Sequence, residues 1–482
     1  NALLSLSPDI SLSVLGSYAA GRFDEGAAEI SAYDPDTQTL FVVNGDENVI
    51  DMLDISNPEA PRWYQSIDMT PYGAAPNSVA VKNGLVAVAV EAEVKQKPGQ
   101  TVLFNTAGGF IKSFTVGALP DMVTFTPDGR FLLVANEGEP SDDYTVDPEG
   151  SISIINLTRG VRKARVKTAD FKRFNKKKKA LIRKGVRIFG PNATVAQDLE
   201  PEYITVLPYS PFAWVSLQEN NAIAKVNIHS GRVMKIMPLG YKDHSLARNG
   251  IDASDKDDAI AIQPWDNVLG MYQPDAIASY RAFGQTFIVT ANEGDGRDYD
   301  TFCDEDRVKD LLLDPSAFPD SDIQENEVLG RLKVTNTLGD IDGDGDFDRL
   351  YAYGSRSFSI YKATGKRGLV QMFDSGDQFE QITAAALPND FNSENDENDS
   401  FDGRSDAKGP EPEGIAVGRI GFRTYAFIGL ERVGGIMVYD ISLPWAPQFV
   451  QYLNNRDFSG DAENGTAGDL GPEGIAFIPA WD

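Results

Sequence analysis

Five aspartates lie within nine residues of a single segment, GDIDGDGDFDR. They are Asp340, Asp342, Asp344, Asp346 and Asp348. The first three take positions 1, 3 and 5 of a calcium-binding loop, followed by a glycine at position 6. The fourth would offer its carbonyl, and the fifth would lie at position 9. Position 12 is Tyr351 rather than the bidentate glutamate of an EF-hand. The pattern predicts a calcium loop that receives its last ligand from another part of the chain.

A second set of acidic residues recurs at equivalent places in an internal repeat. Each repeat unit opens with a strand that begins near an acid and continues with a strand that ends near another acid. The opening residues are Glu29, Asp121, Glu202, Asp275, Glu413 and Glu473, with Asn77 in the remaining unit, and the closing residues are Glu91, Glu137, Glu219, Glu293 and Glu431.

These positions predict two rough rings of carboxylates around one mouth of a central channel. Carboxylates this close raise one another's pKa unless a counter-charge is present. Hard divalent cations supply such a charge, and calcium accepts six to eight oxygen ligands. Arg356 and Arg432 could neutralise the rings instead. A further alternative is that the acids cap neighbouring backbone N–H groups and only shape the turns.

Catalytic motifs are sparse in this chain. It contains two histidines and no zinc-protease, serine-hydrolase or nucleotide-phosphate motif. We expect His229 in a turn and His244 in a solvated loop, with metal or phosphate binding by that loop as the less favoured alternative. A calcium-dependent phosphoester reaction would need acids, calcium, a water and an arginine. The candidate residues for it are Glu137, Glu293, Arg356 and Arg432, with Arg404 as a further clamp for an anion.

The repeat itself predicts the fold. One unit, from Leu119, reads LPDMVTFTPDGRFLLVANEG and resumes after a loop with GSISII. It contains an alternating strand, a Pro-Asp-Gly turn, a second strand ending in Ala-Asn-Glu-Gly, and a third strand. The same order begins seven times, and units with about four strands each are typical of a β-propeller. We therefore expect an all-β, seven-bladed β-propeller that forms a single domain over residues 1–482.

Insertions are expected in blades three and five. A basic insertion at about 161–195 contains KRFNKKKKALIRKGVR and a short helix near Lys178–Arg183, and an acidic insertion with the calcium loop spans about 294–355. The composition of a polar loop at about 392–409 indicates a mobile surface loop. In the last blade, Glu473 begins the inner strand and Ile10–Tyr18 would supply the outer one. No segment is visible for its middle strands.

Composition limits the partners and the compartment. The formal charge of −28 disfavours nucleic acid and anionic membrane surfaces and favours cations, although a saline habitat would also explain it. Cys303 is the single cysteine, so no intrachain disulfide is possible. No apolar run is long enough to span a membrane. A first residue other than Met suggests a removed signal peptide. We expect a secreted, cell-surface or periplasmic bacterial protein.

Four long segments of the chain resemble the choice-of-anchor I family. They are Gly185–Ile204, Met271–Asp300, Gly330–Tyr361 and Gly409–Ile441. The resemblance implies an exported seven-bladed propeller held at the surface by varied C-terminal anchors, related to mesenchyme-specific cell-surface glycoproteins of skeleton-forming animal cells. Some members are labelled alkaline phosphatase-like. Members usually continue past a Gly-Pro-Glu-Gly element with two more strands, so part of the last blade and any anchor are expected to be missing here.

Three functions remain open from the sequence. The favoured one is a calcium-stabilised module of the cell exterior, holding more than one calcium ion, that binds a surface protein, a polysaccharide or a mineral. The second is a calcium-dependent phosphoesterase, alkaline phosphatase- or phytase-like, that acts on the carboxylate face. The third is a self-assembling extracellular component that pairs through the open edge of its last blade.

Overall fold

The computed structural model describes residues 10–23, 26–365 and 368–480. Most of its strands belong to six antiparallel four-stranded sheets, and each sheet runs in simple chain order from an inner to an outer strand. The first three sheets are β1 (Ser31–Asp34), β2 (Thr39–Asn44), β3 (Val49–Asp54) and β4 (Arg62–Asp68); β5 (Pro76–Lys82), β6 (Leu85–Val90), β7 (Pro98–Asn105) and β8 (Phe110–Ala118); and β9 (Pro120–Phe125), β10 (Phe131–Asn136), β11 (Ser151–Asn156) and β12 (Arg165–Asp170).

The fourth sheet contains β13 (Ile204–Val206), β14 (Phe212–Leu217), β15 (Ala222–Asn227) and β16 (Arg232–Pro238). The chain then forms β17 (Tyr241–Asp243), β18 (Val268–Met271), β19 (Ile277–Ala282), β20 (Gln285–Asn292), β21 (Asp298–Tyr299), β22 (Phe302–Cys303), β23 (Glu305–Arg307), β24 (Lys333–Thr335), β25 (Leu350–Ala352), β26 (Ser357–Thr364) and β27 (Gly368–Asp374). The fifth sheet is β19-β20-β26-β27, and the sixth is β28 (Pro412–Ile420), β29 (Arg423–Leu430), β30 (Ile436–Asp440) and β31 (Gln448–Leu453).

Helices are short in the described part of the chain. The α-helices are α1 (Lys178–Ile182), α2 (Val195–Asp198) and α3 (Gln378–Ala386), and 3-10 turns cover Val161–Lys163, Lys172–Lys177, Ala247–Asn249, Val308–Asp310 and Ser321–Gln324. The helix expected in the basic segment is therefore α1, extended at its start by a 3-10 turn. The regular outer strand β12 takes residues 165–170 of the expected insertion, so the inserted segment begins after it. No helix in the described ranges is both long enough and apolar enough to cross a membrane.

Neighbouring sheets pack face to face, and their contacts follow one another around a ring. Separate apolar cores lie between the first and second, second and third, third and fourth, fourth and fifth, and fifth and sixth sheets. The inner strands β1, β5, β9, β13, β19 and β28 contact one another in that order. This is the arrangement of a β-propeller, and the alternating apolar residues of the repeat create it because both faces of each sheet are covered.

The ring closes through a segment that is not assigned as a strand. Pro472–Ile478 lies between β28 and β1. A Cβ on Gly414 would be 1.9 Å from the carbonyl oxygen of Glu473, and one on Gly474 would be 3.0 Å from the carbonyl oxygen of Glu29. The segment therefore lies beside six complete sheets, at the place where the inner strand of the expected seventh blade would lie.

The expected outer strand of that blade, Ile10–Tyr18, is not formed as a strand, although its first residues lie against the sixth sheet. Leu12 exchanges hydrogen bonds with the Gln451 side chain of β31, at 2.7 and 3.1 Å. Ile10 and Leu12 pack with Ile475, Phe477 and the sixth sheet around an apolar groove of about 570 Å³.

The insertion in the fifth sheet lies between β20 and β26 and builds a satellite sheet, β17-β18-β25-β24-β23. β18 pairs with β25 in parallel, so the chain between the fourth and fifth sheets contributes two of the five strands of this satellite, β17 and β18. No sequence pattern predicts that contribution, because both segments are short, with four and three residues. The satellite has its own apolar core, which includes Val268, Leu332 and Leu350.

Ring closure predicts that Gly414 cannot accept a side chain. Gly414→Ala places a methyl group against a backbone oxygen, so we expect a loss of about 2 kcal/mol of unfolding free energy, measured by denaturant titration. Gly365→Ala is the matched control, because its Cβ would meet nothing within 4 Å. Equal stabilities of the two variants would contradict this closure.

Candidate functional site

The repeat brings the acidic residues to the same mouth of the ring. First strands begin where second strands end: the backbone N–H of Glu137 donates to the carbonyl of Leu119 at 2.9 Å, and that of Glu431 donates to the carbonyl of Glu411, also at 2.9 Å. Asp121, Glu202, Asp275, Glu413, Glu473 and Glu29 enter from the inner segments, and Glu91, Glu137, Glu219, Glu293 and Glu431 follow the second strands. We call this set the carboxylate ring.

A buried asparagine fixes the point from which two of the ring acids project. Asn136 ends β10 and donates to Ser151 and Ser153 of β11, while Asn292 ends β20 and donates to Ser357 and Ser359 of β26. The Ala-Asn-Glu-Gly ending of the second strand thus has a structural role. The asparagine ties the strand end to the third strand, and the glutamate that follows reaches the mouth.

Burial dominates the electrostatics of the carboxylate ring. Together with repulsion from neighbouring ring acids, it raises the pKa of Glu29 and Asp121 to about 7 and that of Glu431 to about 8. The same two causes raise the pKa values of four further ring acids well above their usual range; these are Glu137, Glu202, Asp275 and Glu413. In Glu473, burial raises the pKa and Arg432 opposes it. The ring therefore creates a strong demand for counter-charge at this mouth.

Part of the carboxylate ring has its own counter-charges. Glu411, fully buried, pairs with Lys408 at 3.1 Å, with Arg432 at 3.0 Å and with Arg404. Although burial opposes ionisation, these three cations lower the pKa of Glu411 to about 2. Lys408 also pairs with Glu293 at 2.7 Å. We call these three basic residues and Glu411 the cation cradle.

Three ring-side carboxylates meet the cation cradle within a small space. Oxygen atoms of Glu293, Glu411 and Glu431 lie within 4.8 Å of one another, which is a spacing that could hold a metal ion. However, Arg432 also pairs with Glu431 at 3.0 Å, and Gln218 donates to the second oxygen of Glu293 at 2.9 Å. Since three basic side chains already face these three acids, protein cations satisfy this part of the ring.

The polar loop at 392–409 supplies two residues of the cation cradle, so the prediction of a surface loop is wrong. Asn392, Ser405 and Ala407 are buried, and Asn392 donates to Glu380 and to Ser405 at 3.0 and 2.8 Å. Its polar composition serves internal hydrogen bonds rather than solvent. Sequence reasoning missed Lys408 and Glu411. Their position directly before the Glu-Gly opening of β28 was the available signal.

Other predicted site residues lie elsewhere. The buried guanidinium of Arg356 donates to Glu380 at 2.7 Å and to the carbonyls of Asp252, Ser405 and Ala407, so it does not face the carboxylate ring.

The two histidines have structural environments. His229 lies in the turn after β15, with its ring 5.3 Å from that of Phe131. The solvated-loop prediction for His244 is wrong. Its side chain is buried, its Nδ1 lies 2.6 Å from the carbonyl oxygen of Asn249, and burial lowers its pKa to about 3.

The predicted calcium loop gathers its acids into two groups that share Asp348. Oxygen atoms of Asp340, Asp342 and Asp348 lie within 4.8 Å of one another, and so do those of Asp314, Asp346 and Asp348. Asp314 lies outside the loop sequence and was missed. It arrives because Leu313 forms a bridge with Phe347. Asp344 belongs to neither group, and its carboxylate accepts from the backbone N–H of Asp346 at 3.3 Å.

Two buried arginines fasten the insertion beside the carboxylate ring. Arg187 pairs with Asp304 at 2.5 Å, and Arg297 pairs with Asp198 and Glu200, each at 2.9 Å. Phe189 lies against both guanidinium groups, at 4.0 and 4.5 Å from its ring centre. These contacts join the segment before the fourth sheet to the insertion.

The cation cradle predicts that Lys408→Met is strongly destabilising. Removing this amine leaves Glu293 and Glu411 under-compensated in a buried place, which should cost about 3 kcal/mol in denaturant unfolding. Lys172→Met, which breaks a solvent-exposed pair with Glu149, is the control and should leave stability almost unchanged. Similar losses in the two variants would refute the proposed role of Lys408.

The raised pKa of Glu29 predicts a pH dependence of the chelator-treated protein. Because the pKa of this carboxyl is about 7 in the folded state, the folded state binds the extra proton above about pH 4.5, so stability falls as pH rises towards 7. Between pH 5 and pH 8, the free energy of unfolding should fall by about 1 kcal/mol less in Glu29→Gln than in wild type. This value is reduced from the full effect of the pKa shift because Glu29 is partly exposed to solvent. Thermal unfolding at both pH values measures it. The exposed Glu59→Gln serves as control, and a parallel fall in wild type and Glu29→Gln would argue against the shift.

Comparison with known proteins places this site in a family context. Gigasin-3a of Magallana gigas is 38% identical over 124 residues, which cover 25% of this chain and 42% of that protein. The mesenchyme-specific cell surface glycoprotein of Strongylocentrotus purpuratus is 30% identical over 287 residues, which cover 52% of this chain and 36% of that protein. The matched regions thus span less than half of these relatives' own lengths.

A solved structure from Desulfotomaculum acetoxidans aligns with 96% of this chain and 95% of its own, at 10% identity and a TM-score of 0.46. The sequence model of the choice-of-anchor I domain matches residues 29–444, which include all six four-stranded sheets except the outermost strand of the sixth. The chain therefore belongs to the choice-of-anchor I domain family.

Proposed function

We propose that this chain is a secreted or cell-surface calcium-binding β-propeller that acts by binding rather than by catalysis. The observation that carries the proposal is the convergence of the calcium-loop aspartates on Asp348. The relative named as a cell surface glycoprotein supports an extracellular place, and the charge of −28 supports a cationic partner. In the same proposal the ring has seven positions, the seventh taken by the Pro472–Ile478 segment.

The loop chemistry fits calcium. Its ligands would be carboxylates, which calcium prefers, and Asp314 would supply the acid that Tyr351 cannot. Repulsion from Asp344 raises the pKa of Asp342, while burial and the neighbouring aspartates raise that of Asp346 to about 6. A divalent ion would relieve this repulsion.

The calcium site would have a structural effect on the insertion. Asp314 and Asp348 lie on two separate segments, which a shared ion would hold together. The same insertion is anchored beside the carboxylate ring through Arg187 and Arg297. Calcium at the loop would therefore stiffen one wall of the acidic mouth.

The basic residues near the mouth favour binding over phosphoester hydrolysis. A phosphoesterase would need an arginine free to clamp the substrate anion. Arg404 and Arg432 pair with Glu411, and Arg356 pairs with Glu380. The partner that suits this surface is cationic, either a basic surface protein or the calcium ions of a mineral face. The proposal includes both kinds of cationic partner.

Calcium should stabilise the protein through Asp348. At a concentration 100 times the dissociation constant, binding to the folded state adds about 2.7 kcal/mol, seen as a raised unfolding temperature. Asp348→Asn removes the residue that both groups share, so we expect calcium affinity at the loop to fall at least tenfold, measured by calorimetric titration.

Asp36→Asn is the control, because this aspartate is exposed in a turn far along the chain from the loop. The loop site would be overturned if calcium did not raise the unfolding temperature of the wild-type protein. It would also be overturned if calcium raised the unfolding temperature of Asp348→Asn as much as that of wild type.

A further inference from the structure

The carboxylate ring is compensated unevenly. Glu293 and Glu431 pair with residues of the cation cradle. Glu413 of the sixth sheet forms no side-chain hydrogen bond or ion pair with any residue the structure describes. The same holds for the ring acids of the third and fourth sheets and for the first ring acid of the fifth. These acids are Asp121, Glu137, Glu202, Glu219 and Asp275, which we call the uncompensated arc.

Basic residues do approach this arc, but other partners hold them. Arg187 donates to the backbone carbonyl of Glu219 at 2.9 Å and pairs with Asp304. Arg297 is shared by Asp198 and Glu200. The second sheet contributes Asn77 instead of an acid, and its amide donates to the carbonyl of Pro120. None of these groups neutralises an arc carboxylate by direct contact.

Two arc oxygens are both buried and unpartnered. Glu202 and Glu219 are only 6% and 8% exposed, and one carboxylate oxygen of each, Oε2, has no hydrogen-bond partner. Burying a polar oxygen without a partner is costly, and burying a charged one is costlier still. A proton alone does not remove this cost, because a protonated carboxyl adds a donor that also needs a partner. The arrangement calls for a cation that accepts several oxygen ligands.

We propose that the uncompensated arc binds one hard divalent cation, calcium, in the channel, as a site separate from the calcium loop. Glu202 and Glu219, whose Oε2 atoms lack a partner, would be its direct ligands. Among the described residues no three arc acids have oxygen atoms within 4.8 Å of one another, so water molecules would link the ion to Asp121, Glu137 and Asp275. Such an all-oxygen set of carboxylates and water suits calcium better than softer metals. The inference deepens the proposed function and rests on it only for calcium as the available ion.

The arc cation would have a consequence for the mouth. The ion would give a partner to the unpaired oxygens of Glu202 and Glu219, while the cation cradle pairs with Glu293 and Glu431. The two groups of counter-charges together would reduce the negative charge of the third to fifth sheets and of Glu431. The residual negative charge would then lie towards Glu29, Glu413 and Glu473.

The test counts calcium ions bound to the full chain, by equilibrium dialysis with elemental analysis, in wild type and variants. We expect at least two ions per wild-type chain. Glu202→Gln with Glu219→Gln should lose one ion, Asp348→Asn should lose a different one, and the two losses should add. Glu59→Gln, which removes an exposed acid outside both the ring and the loop, is the control and should keep the wild-type count.

A folding readout separates site loss from misfolding. In chelator, Glu202→Gln with Glu219→Gln should unfold at a temperature equal to or above that of wild type, because it removes uncompensated charges, and its unfolding temperature should rise less with calcium. The single variant Glu202→Gln should weaken the arc affinity at least tenfold.

The outcomes of the ion count distinguish the two sites. An unchanged ion count and calcium response in the double glutamine variant overturn the arc site and leave the loop site standing. If the wild-type chain binds a single ion and Asp348→Asn loses it, the arc site is overturned and the loop site is supported. If the wild-type chain binds a single ion, the double glutamine variant loses it and Asp348→Asn keeps it, the arc site is supported and the loop site is overturned.

Discussion

The constraint on which the site depends is the burial of many like charges at one mouth of a ring. Most repeat units place an acid where the first strand begins and another where the second strand ends. Because the units are arranged in a ring, these acids form a ring of negative charge. A buried carboxylate tolerates this only with a counter-charge or a proton. Much of what is unusual in this chain lies close to that ring. The long insertion and the polar loop both pack beside it.

The polar loop illustrates how that demand is met. By composition, Asn392–Gly409 has the low hydrophobicity of a disordered segment. In the structure it delivers Arg404 and Lys408 to Glu411, and the resulting charge pairs and hydrogen bonds order it. Polarity here reflects a polar environment inside the protein. The composition rule fails because it assumes water as the alternative partner.

The sequence predicted the parts of the fold that repeat and missed the parts that do not. Alternating apolar residues, the Pro-Asp-Gly turn and the Ala-Asn-Glu-Gly ending recur, so the four-stranded sheets and the positions of Glu137 and Glu293 could be predicted from the pattern. The pairing of β18 with β25 and the arrival of Asp314 at the loop depend on long-range contacts with no repeat behind them. His244 was misplaced because its charged neighbours suggested solvent, whereas backbone contacts bury it. Arg356 was misplaced for a similar reason, since a place directly before a third strand does not fix the direction of a long side chain.

The hydrogen bonds of the ring acids bear on the explanation that they cap turns. If they served as caps, their carboxylates would accept hydrogen bonds from nearby backbone N–H groups, as Asp128 does in its turn with Arg130 at 3.1 Å. No arc acid accepts such a bond from the described backbone, and the partners of Glu293 are the side chains of Lys408 and Gln218. Turn formation therefore does not explain their recurrence. What these acids share is their place at the beginning of a first strand or the end of a second strand, and that place recurs in the third and fourth sheets, where no basic side chain of the described residues pairs with them.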